Sequence, residues 1–102
     1  MGYAYLWEFM VAPEHAAEFE RVYGPGGPWV ALFRQSAGYL GTSLLRDRSN
    51  PLRFVTLDRW RDESGYREFR TAFALKYREL DERCRRLTSG ERALGSYDES
   101  ED

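Results

Sequence analysis

A second cysteine, a second histidine and any long apolar run are all missing from this 102-residue sequence. With Cys84 alone, no disulfide can close within the chain and no pair of thiolates offers a metal site. No stretch approaches the roughly 20 apolar residues that a membrane-spanning helix needs. The opening MGYAYLWEFMVAPEH has neither the basic n-region nor the small-residue cleavage pattern of a secretory signal, so the expectation is a cytoplasmic protein with no membrane partner. Basic charge is not in excess either. Fifteen Lys and Arg stand against 17 Asp and Glu, a formal net charge of -2, and nothing in that balance favours a nucleic-acid partner. The arginines between 46 and 86 are interleaved with acids, a pattern that suits solvated helix faces. The GPGGP stretch at 24–28 lacks GxxxxGK[ST] and follows a predicted helix, which makes it a chain reversal and not a phosphate cradle.

What is present is aromatic. Hydrophobic residues make up 42% of the chain and aromatics 16%, enough for one folded domain, taken as residues 1–98 with an acidic tail over 99–102 that frays. RFVTLDRW, residues 53–60, alternates: Val55 and Leu57 fall on one side, Phe54, Thr56, Asp58 and Trp60 on the other. Neither set reads as a solvent face. Residues 3–11 behave likewise, with Tyr3, Tyr5, Trp7, Phe9 and Val11 against Ala4, Leu6, Glu8 and Met10. Pro13 opens a helix with Ala16, Phe19 and Tyr23 at helical spacing, and Pro28 opens a short one carrying Trp29, Leu32 and Phe33. Residues 39–48 and 53–61 form a hairpin across an Asn-Pro turn. Asp62 caps a long helix over 62–88 whose stripe is Tyr66, Phe69, Phe73, Tyr77, Leu80, Cys84 and Leu87. Gly90 ends it, and ERALGSYD gives a fourth strand.

The order strand, helix, strand, strand, helix, strand is that of an α+β, ferredoxin-like βαββαβ fold, a four-stranded antiparallel sheet with its helices on one face. Nothing remains in the chain to cover the other face. Burying one Val or Leu is worth roughly 1.5–3 kcal/mol, so a second copy of the sheet is the simplest cover and a homodimer is expected.

The strand YLWEFMV leading into PEHAAEFE, the GYLGTSLLRD strand, and FVTLDRW followed by an aromatic helix resemble the antibiotic biosynthesis monooxygenase family, over about residues 3–98. The resemblance implies a dimeric α+β barrel with a pocket between the sheet and the helices of each subunit. Phe54, Thr56, Asp58 and Trp60 would face that pocket, and Val55, Leu57 and Arg59 the partner. It also implies cofactor-free oxidation of a small aromatic substrate, a phenol, quinol or polyketide. Some relatives instead degrade haem, and many have no known activity. Trp60 matches a tryptophan that family enzymes place at the end of this strand, and Tyr66 the tyrosine that accompanies it. Thr56 stands where the family's asparagine is expected.

Oxygenation without a cofactor needs an ionised substrate, hence a base in a dry pocket. Asp58 is the nearest candidate, and burial would raise its pKa toward neutrality. Glu8 is the second. Either acid would equally serve as a strand-end partner for Arg59 or Arg70. The catalytic candidates are therefore Trp60, Tyr66 and Asp58, with Trp29, Phe33, Phe54, Thr56, Phe69 and Phe73 as substrate-binding residues. The same aromatics suit plain core packing in a non-catalytic dimer that binds a ligand or serves structure alone. No metal site and no cofactor is expected. His15 reads as an exposed helix-start residue, the lack of histidine across 62–88 disfavours haem degradation, and Cys84 reads as a small buried hydrophobe.

Overall fold

The computed structural model describes residues 2–100. Strand β1 spans Gly2–Val11, and a 3-10 turn over Pro13–His15 leads into helix α1, Ala16–Tyr23. Helix α2 is Pro28–Phe33, with Pro28 in its first turn, where the absent N–H costs nothing. Strands β2, Tyr39–Arg46, and β3, Arg53–Trp60, form the expected hairpin. Asp47 Oδ1 holds the turn between them, accepting from the backbone N–H groups of Ser49 and Asn50. Helices α3, Glu63–Ala72, and α4, Ala74–Cys84, precede strand β4, Thr88–Glu99. The sheet order is β2-β3-β1-β4, antiparallel throughout, so the fold is the expected α+β, ferredoxin-like one.

The helix expected over 62–88 is in fact two helices. The backbone opens at Phe73, yet the hydrogen bonds from Phe73 N–H to Phe69 and from Tyr77 N–H to Phe73 persist, so the stripe continues through the bend. Asp62 caps α3 as predicted, its Oδ1 accepting from Gly65 N–H at 2.8 Å. Gly90 does not end the helix. A 3-10 turn over Arg85–Leu87 does so, and Gly90 lies inside β4, paired with Met10. β4 runs the full length of β1, which satisfies its backbone groups and carries it through Glu99, the first residue of the predicted tail. Glu99 accepts from Arg59 at 3.1 Å. The last two tail residues, 101–102, lie outside the described residues.

Register decides which side chains meet the helices. Tyr3 pairs with Trp60, Tyr5 with Asp58, Trp7 with Thr56 and Phe9 with Phe54. All of these share the helix-side face, because side chains opposite one another in an antiparallel pair point the same way. In β3 the even positions are buried and the odd ones half-buried. Between sheet and helices, Phe19 lies 4.9 Å from Phe54 and 4.2 Å from Tyr23, while Phe69 lies 5.1 Å from Trp60 and 5.3 Å from Phe33, ring centre to ring centre. On the other face Leu6, Val55 and Leu57 are half-buried, and Leu45 and Tyr97 stand half-exposed, at 50% and 51%.

Phe69 has no exposed surface and meets Phe33, Trp60, Phe73 and Tyr77. Phe69→Ala should cost about 3–5 kcal/mol in denaturant unfolding. A loss under 1 kcal/mol would show that the aromatic layer is loosely packed.

Candidate functional site

The aromatic layer does not fill the space between sheet and helices. A chamber of about 340 Å³ remains, within the range of small-molecule sites. Its floor is the helix-side face of the sheet: Tyr5, Trp7 and Phe9 from β1, Thr42 from β2, and Thr56 and Asp58 from β3. Its walls come from Tyr23 of α1, from Trp29, Val30 and Phe33 of α2, and from Arg70 and Tyr77 of α3 and α4. Asp81 and Glu91 complete the lining.

Asp58 is the carboxylate of the floor. It is only 9% exposed, and burial pushes its pKa from the ordinary 3.8 up to about 6, against the opposing pull of a hydrogen bond from Thr42. Thr42 Oγ1 donates to Asp58 Oδ1 at 2.7 Å, and Tyr39 Oη lies 2.6 Å from the same Thr42 oxygen. Arg70 is the one cation among the residues lining the chamber. Its guanidinium lies 3.9 Å from the centre of the Tyr77 ring, and its Nη1 donates to Tyr66 Oη at 2.9 Å. Burial raises the pKa of Tyr23, Tyr39, Tyr66 and Tyr77, so these hydroxyls stay neutral through the physiological range. Glu91 is also raised, first by burial and then by Asp81.

Of the residues singled out from the sequence, Asp58, Trp29, Phe33 and Thr56 meet on the chamber wall. Trp60 is packed at 1% exposure among Phe33, Tyr39, Tyr66 and Phe69, off the wall, with its buried indole N–H unpartnered among the described residues. Tyr66 packs against Tyr3, Tyr5 and Trp60 and touches the chamber's lining through Tyr5 and Arg70 without lining it itself. Phe54 and Phe69 are fully buried, and Phe73 stacks on Phe69. Glu8 is corrected as a base candidate. It projects from the opposite face of β1, where Arg53 and Arg92 hold its carboxyl below the usual range. Arg59 is likewise on that face, paired with Glu99 and not with Asp58.

Several wall residues went unnoticed in the sequence. Tyr5, Trp7 and Phe9 follow from the β1 alternation once register is known. Tyr23 and Tyr77 sit on stripes that read equally as core. Arg70, Asp81 and Glu91 carried no local signal. His15 is half-buried rather than exposed, and Cys84 is buried, its thiol raised by burial. Among the described residues no group of three His, Cys, Asp or Glu is placed to hold a metal ion, and no helix is long and apolar enough to cross a membrane.

Because the folded protein binds a proton on Asp58 more tightly than the unfolded chain does, this residue favours folding below pH 4. That contribution is lost as pH rises through about 6. The difference corresponds to about 3 kcal/mol. Asp58→Asn should therefore melt well above the wild type at pH 8, by roughly 10–20 °C, with the gap closing toward pH 4. A gap independent of pH would refute the burial-raised carboxyl.

The antibiotic biosynthesis monooxygenase family model matches residues 3–76. No curated protein sequence matches the chain. A point variant of SnoaB, a cofactor-independent oxygenase from Streptomyces nogalater, superposes with a TM-score of 0.79 at 21% identity, over 99% of this chain and 95% of that one. A putative antibiotic biosynthesis monooxygenase from Deinococcus radiodurans gives 0.74 at 19% identity, over 100% and 95%. Another from Bordetella bronchiseptica gives 0.74 at 18%, over 97% of each. The fold is thus shared across nearly the whole chain, and with the family model spanning well over half of it, the protein belongs to the antibiotic biosynthesis monooxygenase family.

Proposed function

We propose that the protein is a cofactor-independent monooxygenase acting on a small aromatic phenol, quinol or polyketide-like substrate, with Asp58 as the base. The observation that carries this reading is a carboxylate poised near neutrality in a chamber otherwise walled mainly by aromatic rings. A flat aromatic fits between Trp7, Trp29, Phe33 and Tyr77, where ring contacts supply affinity without demanding many polar partners. Asp58 removes a proton from the substrate, leaving a phenolate or enolate. That anion gives one electron to dioxygen, and the resulting radical pair joins in a carbon–oxygen bond. Loss of water then breaks the oxygen–oxygen bond. The net change is a ring CH2 plus O2 to a carbonyl plus H2O. Arg70 faces the same space and stabilises negative charge as it develops. Trp60 and Tyr66 serve from behind the wall, Tyr66 by holding Arg70.

Oxygen uptake with hydroxynaphthalenes and anthrone-like compounds tests the reading. Turnover should occur without added metal or flavin, and Asp58→Asn should lower kcat about 100-fold or more while leaving ligand binding nearly intact. Binding with no uptake across the panel would favour a ligand-carrying role for the chamber.

The open sheet face points to a homodimer in the same reading. Leu6, Val55 and Leu57 are half-buried there with no element of the described residues above them, flanked by the half-exposed Leu45 and Tyr97. The ion pairs of Glu8 with Arg53 and Arg92, and of Arg59 with Glu99, lie among them. Sedimentation at micromolar concentration should give a dimer, and Leu57→Glu should yield monomers or unfolded chain. A stable, folded wild-type monomer would overturn the assignment.

A further inference from the structure

The β2 strand carries an irregularity that alternation alone does not foretell. Tyr39 pairs with Trp60 and Gly41 with Arg59, so Leu40 is an extra residue and projects outward at 59% exposure. In a regular strand residues 39 and 42 point to opposite faces. The bulge turns them to the same one, since Tyr39 pairs with Trp60 and Thr42 with Asp58, both on the helix side. The 2.6 Å contact between Tyr39 Oη and Thr42 Oγ1 depends on it.

Hydrogen-bond accounting then assigns an orientation. Thr42 has one hydroxyl proton, which it donates to Asp58 Oδ1 at 2.7 Å. With Asp58 ionised, the Tyr39 hydroxyl must be the donor to Thr42. Both hydrogen bonds therefore run toward the carboxylate. Asp58 Oδ2 accepts no protein hydrogen bond among the described residues, and Asp58 lines the chamber, which leaves Oδ2 as the oxygen free to meet a ligand. The anchor comes from outside the chamber. Val30 and Thr42 line both the chamber and a second hollow of about 380 Å³, and Tyr39 lines only the second. A ligand filling the chamber therefore does not displace Tyr39.

We propose that Thr42, oriented by Tyr39 through the β2 bulge, is the positioning residue for Asp58: it occupies Oδ1, presents Oδ2 to the substrate and favours the ionised acid. The proposal rests on the reading of Asp58 as the base. Burial alone would leave this carboxyl protonated over more of the neutral range. Thr42 opposes that with a hydrogen bond made best to the charged form.

The surroundings limit what else can titrate. Tyr5 of β1, Tyr39 of β2, Tyr23 of α1, Arg70 of α3, Tyr77 and Asp81 of α4 and Glu91 of β4 are the titratable groups around Asp58, in the chamber lining or in its own hydrogen-bond chain. Tyr23, Tyr39 and Tyr77 are raised by burial and stay neutral, and Arg70 stays charged. Asp58 and Glu91 are the two lining acids with raised pKa values.

The test is Thr42→Val, which keeps the shape and removes the hydroxyl, beside Thr42→Ser and Tyr39→Phe. The titration midpoint of the Asp58 carboxyl, read by carbon-13 NMR on the resting protein, should rise by about one pH unit in Thr42→Val. The acid limb of the kcat profile should rise with it. Thr42→Ser should restore both, and Tyr39→Phe should move both less and in the same direction. A folded Thr42→Val protein with the wild-type midpoint would overturn the proposal. So would a midpoint that Thr42→Ser fails to restore. The NMR midpoint does not need turnover, so a shift in a protein that consumes no oxygen would count against the base role alone and leave the hold of Thr42 on Asp58 established.

Discussion

The pairing of β1 with β3 is the constraint from which the site follows. These are the two central strands, and their register places Tyr5 opposite Asp58 and Trp7 opposite Thr56. A slip of one residue would turn one strand's side chains to the other face relative to its neighbour. Either Glu8 of β1 or Arg53 and Arg59 of β3 would then enter the aromatic layer, where charge without water would be prohibitive. The segregation of charge is thus as much a determinant of register as the apolar pattern. On one face Glu8 collects two arginines at half-exposed positions, and on the other Asp58 is held by hydroxyls alone.

That difference in partners sets two carboxylates of neighbouring strands on opposite paths. Glu8 has cations and water around it, and its pKa falls. Asp58 has burial and a single neutral donor, and its pKa climbs to about 6. Placing a charged acid there costs stability at neutral pH, which is a common feature of sites arranged for chemistry rather than for folding. Arg70 could have relieved the cost by pairing with Asp58. Instead its guanidinium lies on the Tyr77 ring and bonds the Tyr66 hydroxyl, so the chamber keeps an acid and a cation that do not neutralise each other.

Much of this architecture was legible in the sequence, for a physical reason. Alternation in RFVTLDRW and YAYLWEFMV has period two, and the stripe from Tyr66 to Leu87 has helical period, so element type and inward face could be read directly. The division of β3 into a helix side and an opposite side matches the structure from Phe54 to Trp60, although only Thr56 and Asp58 of that strand reach the chamber. The site was less legible. Trp29, Phe33, Thr56 and Asp58 line the chamber, but an aromatic on an apolar stripe looks the same whether it borders a cavity or fills one. Phe54 and Phe69 fill, whereas Phe9 and Tyr23 border. That distinction is a matter of volume left over after packing, which no local pattern encodes.

The bulge at Leu40 shows the same limit from the backbone side. Read as regular alternation, YLGTSLLR puts Tyr39 with Gly41 and Ser43, and Thr42 on the reverse face. The only local hint is Gly41, since an isolated glycine within a strand is a frequent companion of a bulge. One extra residue then brings together two hydroxyls from opposite parities, and the chamber acid gains a donor that is itself held from outside the chamber. The two buried tryptophans point the other way. Among the described residues the indole N–H groups of Trp29 and Trp60 have no well-formed hydrogen bond, whereas the short hydroxyl chain on Asp58 is engaged at Thr42. The aromatic layer is therefore held mainly by packing, and its polar contacts fall at two places: the Asp58 carboxylate on the chamber floor and the Arg70–Tyr66 pair at the helix wall.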